Sequence, residues 1–192
     1  MQHMLTFTPL STCDSEAPLG FEVLIAYEDF ETAKHAKHTY DILVKNLGPN
    51  CRFTSQMWKF AVLSLSRFRQ MAVSDAVAAD IIILSSAGGD LPGHIKDWIE
   101  SWLAEGGNPL ALVALFNPAD ASRQTQATRA YLADVARRGR MEFFAQPDAS
   151  GTAPAAQDVR PAPPASTPAE MSLAAVVACH ALPLARTTAC QR

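Results

Sequence analysis

Two neighbouring carboxylates, Glu28 and Asp29, and a small-residue turn, Ser85-Ser86-Ala87-Gly88-Gly89-Asp90, are the stretches of this 192-residue chain whose residue types could do chemistry. Adjacent acids suit a hard cation, or a general acid and base pair. Neighbours in a loop usually diverge, however, and Asp29 serves equally well as a helix N-cap. The turn could cradle an anion on its backbone N–H groups at the start of a helix. Against this, Asp90 would occupy the same helix end, and a tight turn between strand and helix explains the glycines as well. Asn117 and Gln146 add polar side chains at the ends of later apolar runs. Trp58, Lys59 and Phe60 place two aromatics around a cation, which suits stacking or a partner contact, with burial the default for either ring. Glu31, His35 and His38 recur at helical spacing and could hold a metal, yet they alternate with Lys34, Lys37 and Lys45 on what reads as a solvated face. Apart from His94 no histidine falls beyond an apolar run, so no nucleophile has an identifiable base and no catalytic set emerges.

The elements that must position these residues alternate. Phe21–Tyr27, Cys51–Trp58, Ile81–Leu84, Leu110–Phe116 and Met141–Phe144 read as strands, the near-continuous apolar runs among them suiting strands buried on both faces. Cys51–Trp58 is mixed in polarity and belongs at an edge. Between the strands lie helical stripes. The first runs through Ala33, Ala36, Tyr40, Leu43 and Leu47 and stops at Gly48. The second is capped by Ser66 and runs through Phe68, Ala72, Ala76 and Ala79. The third is capped by Asp90, has Pro92 in its first turn and carries Ile95, Trp98, Ile99, Trp102 and Leu103. The fourth is capped by Asp120, passes Ala127, Tyr131 and Val135, and stops at Gly139. Parallel strands joined by right-handed helical crossovers give a three-layer α/β/α sandwich around a five-stranded sheet, whose ligand crevice lies beyond the strands' carboxyl ends.

Composition limits the function. A formal charge of -3 with 18% charged residues lacks the basic excess of a nucleic-acid binder, and Arg137, Arg138 and Arg140 sit where a helix should end and complement its dipole. Cys13, Cys51, Cys179 and Cys190 are widely separated with no C-x-x-C pair, which speaks against zinc, redox and disulfide roles and fits a reducing cytoplasm. The first residues lack the charged start of a signal peptide, and no segment has the uncharged length of a membrane span. Residues 1–20 read as a flexible leader, 21–147 as the α/β domain, and 148–192 as an Ala/Pro-rich disordered tail with a short helix at 171–179. A sheet of this kind needs a helix after its last strand to cover one face, so that segment folds back or the face is open to a partner. The fingerprints G-x-G-x-x-G and G-x-x-x-x-G-K-[ST] are absent. The loop EDFET after the first strand is acidic and without glycine, which disfavours a flavin phosphate there.

The strand ending in Glu28-Asp29, the run DIIIL ending at Ser85, Leu91-Pro92-Gly93 and the closing Gln146-Pro147 together resemble the receiver domains of bacterial response regulators, over about residues 21 to 147. The resemblance implies a flavodoxin-like sheet of order 2-1-3-4-5 and a magnesium-binding acidic pair at Glu28 and Asp29. Ser85 then stands where the family has its phosphoryl-accepting aspartate, Gln146 where it has a lysine, and Asn117 where it has a hydroxyl residue. A serine hydroxyl without an activating base is a weak nucleophile. The expectation is therefore a non-catalytic, receiver-like regulatory or protein-interaction domain that binds no cofactor beyond a weak Mg2+ at Glu28 and Asp29 and pairs with another protein or with itself. The alternative is a small-molecule-binding protein or enzyme that uses the crevice between the first and third strand ends, with Glu28, Asp29, Ser85 and Ser86 facing a common pocket.

Overall fold

The computed structural model describes residues 19–48, 51–117, 119 and 122–146. In chain order it holds β1 (Leu19–Tyr27), α1 (Phe30–Leu47), β2 (Cys51–Lys59), α2 (Phe60–Leu63), α3 (Ser66–Ala78), β3 (Ile81–Ser86), α4 (Gly93–Ala104), β4 (Ala111–Phe116), α5 (Arg123–Gly139) and β5 (Glu142–Gln146). The five strands form one parallel sheet in the order β2-β1-β3-β4-β5. Every residue of β3 and β4 is buried, as their unbroken apolar and small-residue sequences require of central parallel strands. β2 alternates half-buried and exposed positions over most of its length and lies at the edge, where its mixed polarity belongs.

Alternation along the strands splits the core in two. Leu24, Ala26, Ile82, Leu84, Leu112 and Ala114 face α2, α3, α4 and α5, with Trp98 and Trp102 fully buried among them. Val23, Ile25, Ile81, Ile83, Val113 and Leu115 face the other way, where α1 lies. At the amino end, Asp80 joins three strands: its N–H donates to the Glu22 carbonyl, its carboxylate accepts from the Glu22 N–H, and its carbonyl accepts from the Leu110 N–H.

Several expected details shift. β1 begins at Leu19, inside the expected leader, while residues 1–18, the tail from 147 onward and the segment 171–179 lie outside the described residues. The buried face of α1 comprises Thr32, Ala36, Thr39 and Leu43, because a threonine methyl packs on a sheet much as a valine does and a stripe drawn through apolar letters alone misses it. Ser66 is the first residue of α3 rather than its cap, and Phe68 points outward at 38% exposure. Asp90 does not cap α4: the helix starts three residues later behind Pro92, and Asp90 pairs with Lys96 at 2.7 Å. α5 is capped by Ser122, whose hydroxyl accepts from the Thr125 N–H at 3.2 Å, and Asp120 lies outside the described residues. Its buried face runs through Thr125, Thr128, Leu132, Val135 and Ala136, leaving Ala127 exposed and Tyr131 half-buried.

Candidate functional site

Parallel strands deliver their following loops to one end of the sheet, and β1 and β3, adjacent through Tyr27 and Ser85, bring two of the expected stretches together there. The Glu28 N–H donates to the Ser85 carbonyl at 3.1 Å, so the pairing continues one residue past β1. The Glu28 carboxylate then reaches across. Its Oε2 accepts from the Ser86 hydroxyl at 2.8 Å and from the Ala87 N–H at 2.8 Å. The Gly88 N–H lies 3.3 Å from the same Ser86 hydroxyl oxygen, which accepts from it. The turn after β3 does gather donors around an anion, and the anion it holds is the chain's own carboxylate.

The glycines shape that turn. Gly88 and Gly89 take φ values of 127° and 81°, in a region that residues with a Cβ avoid. The far side of the turn is tied to α5: the Gly89 N–H donates to Thr125 Oγ1 at 2.7 Å, and Thr128 Oγ1 donates to the Gly89 carbonyl at 2.7 Å. The turn is thereby fixed between the tip of β1 and the first two turns of α5. Neither threonine was legible as part of the site, because both lie far along the chain and the expected stripe through Ala127, Tyr131 and Val135 left them off the buried face.

The two acids separate. Asp29 faces back onto α1, where its Oδ1 accepts from the Thr32 N–H and the Thr32 hydroxyl, both at 2.9 Å, while Thr32 Oγ1 accepts from the Asp29 N–H at 2.8 Å. This reciprocal capping holds the Asp29 carboxyl below its ordinary range, first through the Thr32 backbone N–H and then through its hydroxyl. Among the described residues no group of three or more His, Cys, Asp or Glu side chains could hold a metal ion, and Glu31, His35 and His38 form no such group.

Ser85 is fully buried. It follows Ile81 and Ile83 on the side of α1, so it turns away from Glu28, and its Oγ has no hydrogen-bond partner. Ser86, one residue on, meets the acid instead. Asn117 stays exposed beyond β4 and accepts from the Ala119 N–H at 3.0 Å. Gln146, half-buried at the end of β5, pairs in register with Leu115, and β3 and β4 stand between it and β1. Neither Asn117 nor Gln146 forms a bond to Glu28. Of the expected contact residues, Phe60 is 3% exposed and belongs to the core, and Trp58 is half-buried with its indole N–H donating to Asp75 Oδ2 at 2.9 Å. Lys59 alone of the three is exposed. His94 Nε2 lies 2.9 Å from the Phe60 carbonyl, a contact that ties α4 to α2.

Phe30 was not among the expected site residues. Phe30, the first residue of α1, is 72% exposed, with Lys34 Nζ 5.4 Å from its ring centre. A phosphate group in the loop after β1 does not fit these residues: the Asp29 carboxylate already caps the helix, and Glu31 follows in the first turn.

The order 2-1-3-4-5 with helices on both faces makes this a flavodoxin-like α/β sandwich. No protein-family model matches the sequence, and no curated protein matches it significantly. Solved structures do resemble it. An oxidoreductase from Corynebacterium diphtheriae aligns over 85% of this chain and 93% of its own, at 11% identity and a TM-score of 0.48. A flavodoxin from Streptococcus pneumoniae TIGR4 aligns over 65% of this chain and 81% of its own, at 16% identity and a TM-score of 0.38. Rubredoxin oxygen:oxidoreductase from Desulfovibrio gigas aligns over 67% of this chain and 30% of its own, at 12% identity and a TM-score of 0.38.

Two expectations are corrected here. The expected receiver geometry is not built: Ser85 is buried away from Glu28, and Glu28 and Asp29 have separate partners. The non-catalytic receiver-like function is therefore withdrawn. The expectation of no cofactor beyond a weak Mg2+ at the acidic pair falls with it, and the small-molecule alternative is carried forward.

Proposed function

We propose that the chain binds a small organic molecule in the crevice at the carboxyl ends of β1 and β3. The observation that carries this is the Glu28 carboxylate. It is fixed at Oε2 by the Ser86 hydroxyl and the Ala87 N–H, both at 2.8 Å, while neither bond engages Oε1. A half-buried carboxylate held in place through one oxygen offers the other to a ligand donor, and such charge-assisted bonds are short and strong. Phe30 supplies an exposed ring two residues further on, suited to stacking a planar group.

The ligand these groups favour is planar and carries an N–H or ammonium donor. It is not anchored by a phosphate at the amino end of α1, which Asp29 and Glu31 make negative. A flavin would meet these terms through its ring system rather than through its phosphate. Binding of this kind supports either a carrier or an enzyme, and the ring chemistry would belong to the cofactor.

A thermal-shift series with riboflavin, flavin mononucleotide, nicotinamide and adenine nucleotides and Mg2+ tests it. Saturation to a hundred times the dissociation constant stabilises a fold by about 2.7 kcal/mol. For a chain of this size that is a rise of roughly 8 °C in Tm. The expected result is a rise with an unphosphorylated planar compound that Glu28→Ala and Phe30→Ala together abolish. No rise with any compound at millimolar concentration, or an equal rise in the double variant, would remove the proposal.

A further inference from the structure

β2 stands at the edge of the sheet and is bonded to β1 alone among the described strands, so its outer side carries backbone N–H and C=O groups open to another strand. Edges are commonly blunted by short length, by proline or by charges along the strand. β2 has nine residues and no proline, and its only charged residues, Arg52 and Lys59, stand near its two ends. Large apolar side chains stay exposed beside it. Met57 on β2 is 42% exposed, and Phe68 and Met71 on α3 are 38% and 49% exposed. α3 turns this flank toward the edge: Phe68 meets the Trp58 ring, and Asp75, two turns further on, accepts from the Trp58 indole N–H, with Met71 between them on the helix.

We infer that β2 pairs antiparallel with β2 of a second copy, about a two-fold axis at Ser55, to give a dimer with one continuous sheet. Facing residues of an antiparallel pair lie on the same side of the sheet, so a two-fold axis between identical strands passes through a residue. Ser55 is the middle of Cys51–Lys59, and only an axis there pairs every residue of the strand. Trp58 packs with the core under α3 and Phe53 with the core under α1, which assigns the even positions of β2 to the first side and the odd positions to the second.

On the α1 side this register sets the exposed Met57 of each copy against the half-buried Phe53 of the other. On the α3 side it sets Thr54 against Gln56 and Arg52 against Trp58. Arg52 is exposed and forms no ion pair among the described residues. Beside Trp58 stands the half-buried Asp75, whose Oδ2 takes the indole N–H while that bond leaves Oδ1 open. Asp75 also lines a cleft with Thr54 and Gln56, the two positions flanking the axis. The pairing thus brings an unpaired guanidinium to a carboxylate with an open oxygen, twice per dimer, and sets no like charges opposite one another. Within one copy the two groups cannot meet, because six strand residues hold Arg52 about 20 Å from Trp58. The cation, the acid and the two apolar partners all come from one surface, as an interface between identical copies requires.

Sedimentation velocity of the full chain, from micromolar to submillimolar concentration, tests the inference. The expected result is a reversible monomer–dimer equilibrium that Arg52→Glu weakens at least about tenfold and Arg52→Lys largely preserves. Asp75→Asn, which keeps an acceptor for the Trp58 indole, is expected to weaken it in the same direction. With Cys13, Cys51, Cys179 and Cys190 changed to serine, Ser55→Cys should form a disulfide-linked dimer on mild oxidation. The axis sets its two Cα atoms about 4.5–5.5 Å apart, within a disulfide's reach. The easy opening of β2 belongs to the single copy, so its amides should also exchange more slowly as the chain is concentrated. A monomer at every concentration, a dimer indifferent to Arg52→Glu, or a dimer that Ser55→Cys does not cross-link would each overturn the inference.

Discussion

Ser85 and Ser86 are adjacent, both buried and chemically identical, yet their hydroxyls do opposite things. Ser86 Oγ donates to the Glu28 carboxylate at 2.8 Å, whereas Ser85 Oγ is buried with no partner. A hydrogen bond to a charged group contributes about 1.5–3 kcal/mol, and a buried hydroxyl without a partner costs about 1–3 kcal/mol. Ser86→Ala is accordingly expected to lower unfolding stability by about 2 kcal/mol. Ser85→Ala is expected to leave it unchanged or raise it by up to about 1 kcal/mol. Urea unfolding of the two variants checks the pair, and equal losses would show that Ser86 does not latch the turn. Asp29 yields a pH prediction from its capping bonds. Its folded-state pKa lies below the ordinary value of 3.8, so its contribution is complete above that value and is lost as pH falls through the lower folded value. Asp29→Ala should cost about 1 kcal/mol at neutral pH, in the range for removing an N-cap, and its stability should converge with that of the unchanged protein as the medium is acidified below the ordinary aspartate range. That Glu28 and Asp29 mattered was visible in the sequence. Their separation was not, because only the Thr32 capping bonds and the Ser86 hydroxyl 58 positions away decide which way each acid turns.

Among the elements, strand identity was legible because burial on both faces leaves an unbroken apolar run, as in DIIIL and LALVALF, whereas the order of the strands was implied only by the family resemblance. Helix starts were less so. Ser66 and Asp90 each have a side chain able to cap a helix, but α3 begins one residue before that serine can act and Pro92 sets the start of α4, so local chemistry lost to the path of the preceding loop. Trp58 shows the same interplay across elements. It stands on the edge strand β2, where an aromatic suggested a partner, and instead binds the strand to α3 through the bond to Asp75 and a ring contact with Phe68, with centroids 6.4 Å apart. Trp58→Phe keeps most of the ring and removes the donor, leaving Asp75 unmatched in a half-buried place. The expected loss is about 1 kcal/mol. By contrast the ion pair from Arg138 to Glu100, linking α5 to α4 at 2.7 Å, involves side chains that are 36% and 47% exposed. Arg138→Met should therefore change stability by less than about 1 kcal/mol, since water and salt screen such pairs. A larger effect for Arg138 than for Trp58 in chemical denaturation would mean that α4 and α5, rather than β2 and α3, are the weaker seam.

At the scale of the molecule, the sheet order sets a gradient of protection from its centre to its edges. β3 lies between β1 and β4, has all six residues buried, and contributes Ile81, Ile82, Ile83 and Leu84 to the two cores in alternation. Its amides can exchange with solvent only when both layers separate, which amounts to global unfolding. β2 is bonded to β1 alone among the described strands, and its exposed positions Arg52, Thr54, Gln56 and Met57 bury little apolar surface, so local opening there costs far less. Native-state hydrogen exchange should place β3 and β4 in the slowest class, at the free energy of complete unfolding, and β2 in a class several kcal/mol lower. Core substitution should follow the same gradient. Ile83→Ala removes a side chain that is 0% exposed and should cost about 2–5 kcal/mol through lost burial and the cavity left behind. Thr54→Ala on the outer strand should stay within about 0.5 kcal/mol. The site sits where the gradient is steep, with Ser86 at the end of the most protected strand and Glu28 just past its neighbour. If Ser86 and Ala87 latch that neighbour through Glu28, Glu28→Ala should speed exchange of the amides at the end of β1 and in the turn 85–89 while leaving the middle of β3 in the slowest class. Acceleration spread evenly through the sheet would instead mark Glu28 as a global stabiliser, and no change at all would mean that the bond to Ser86 holds nothing in place.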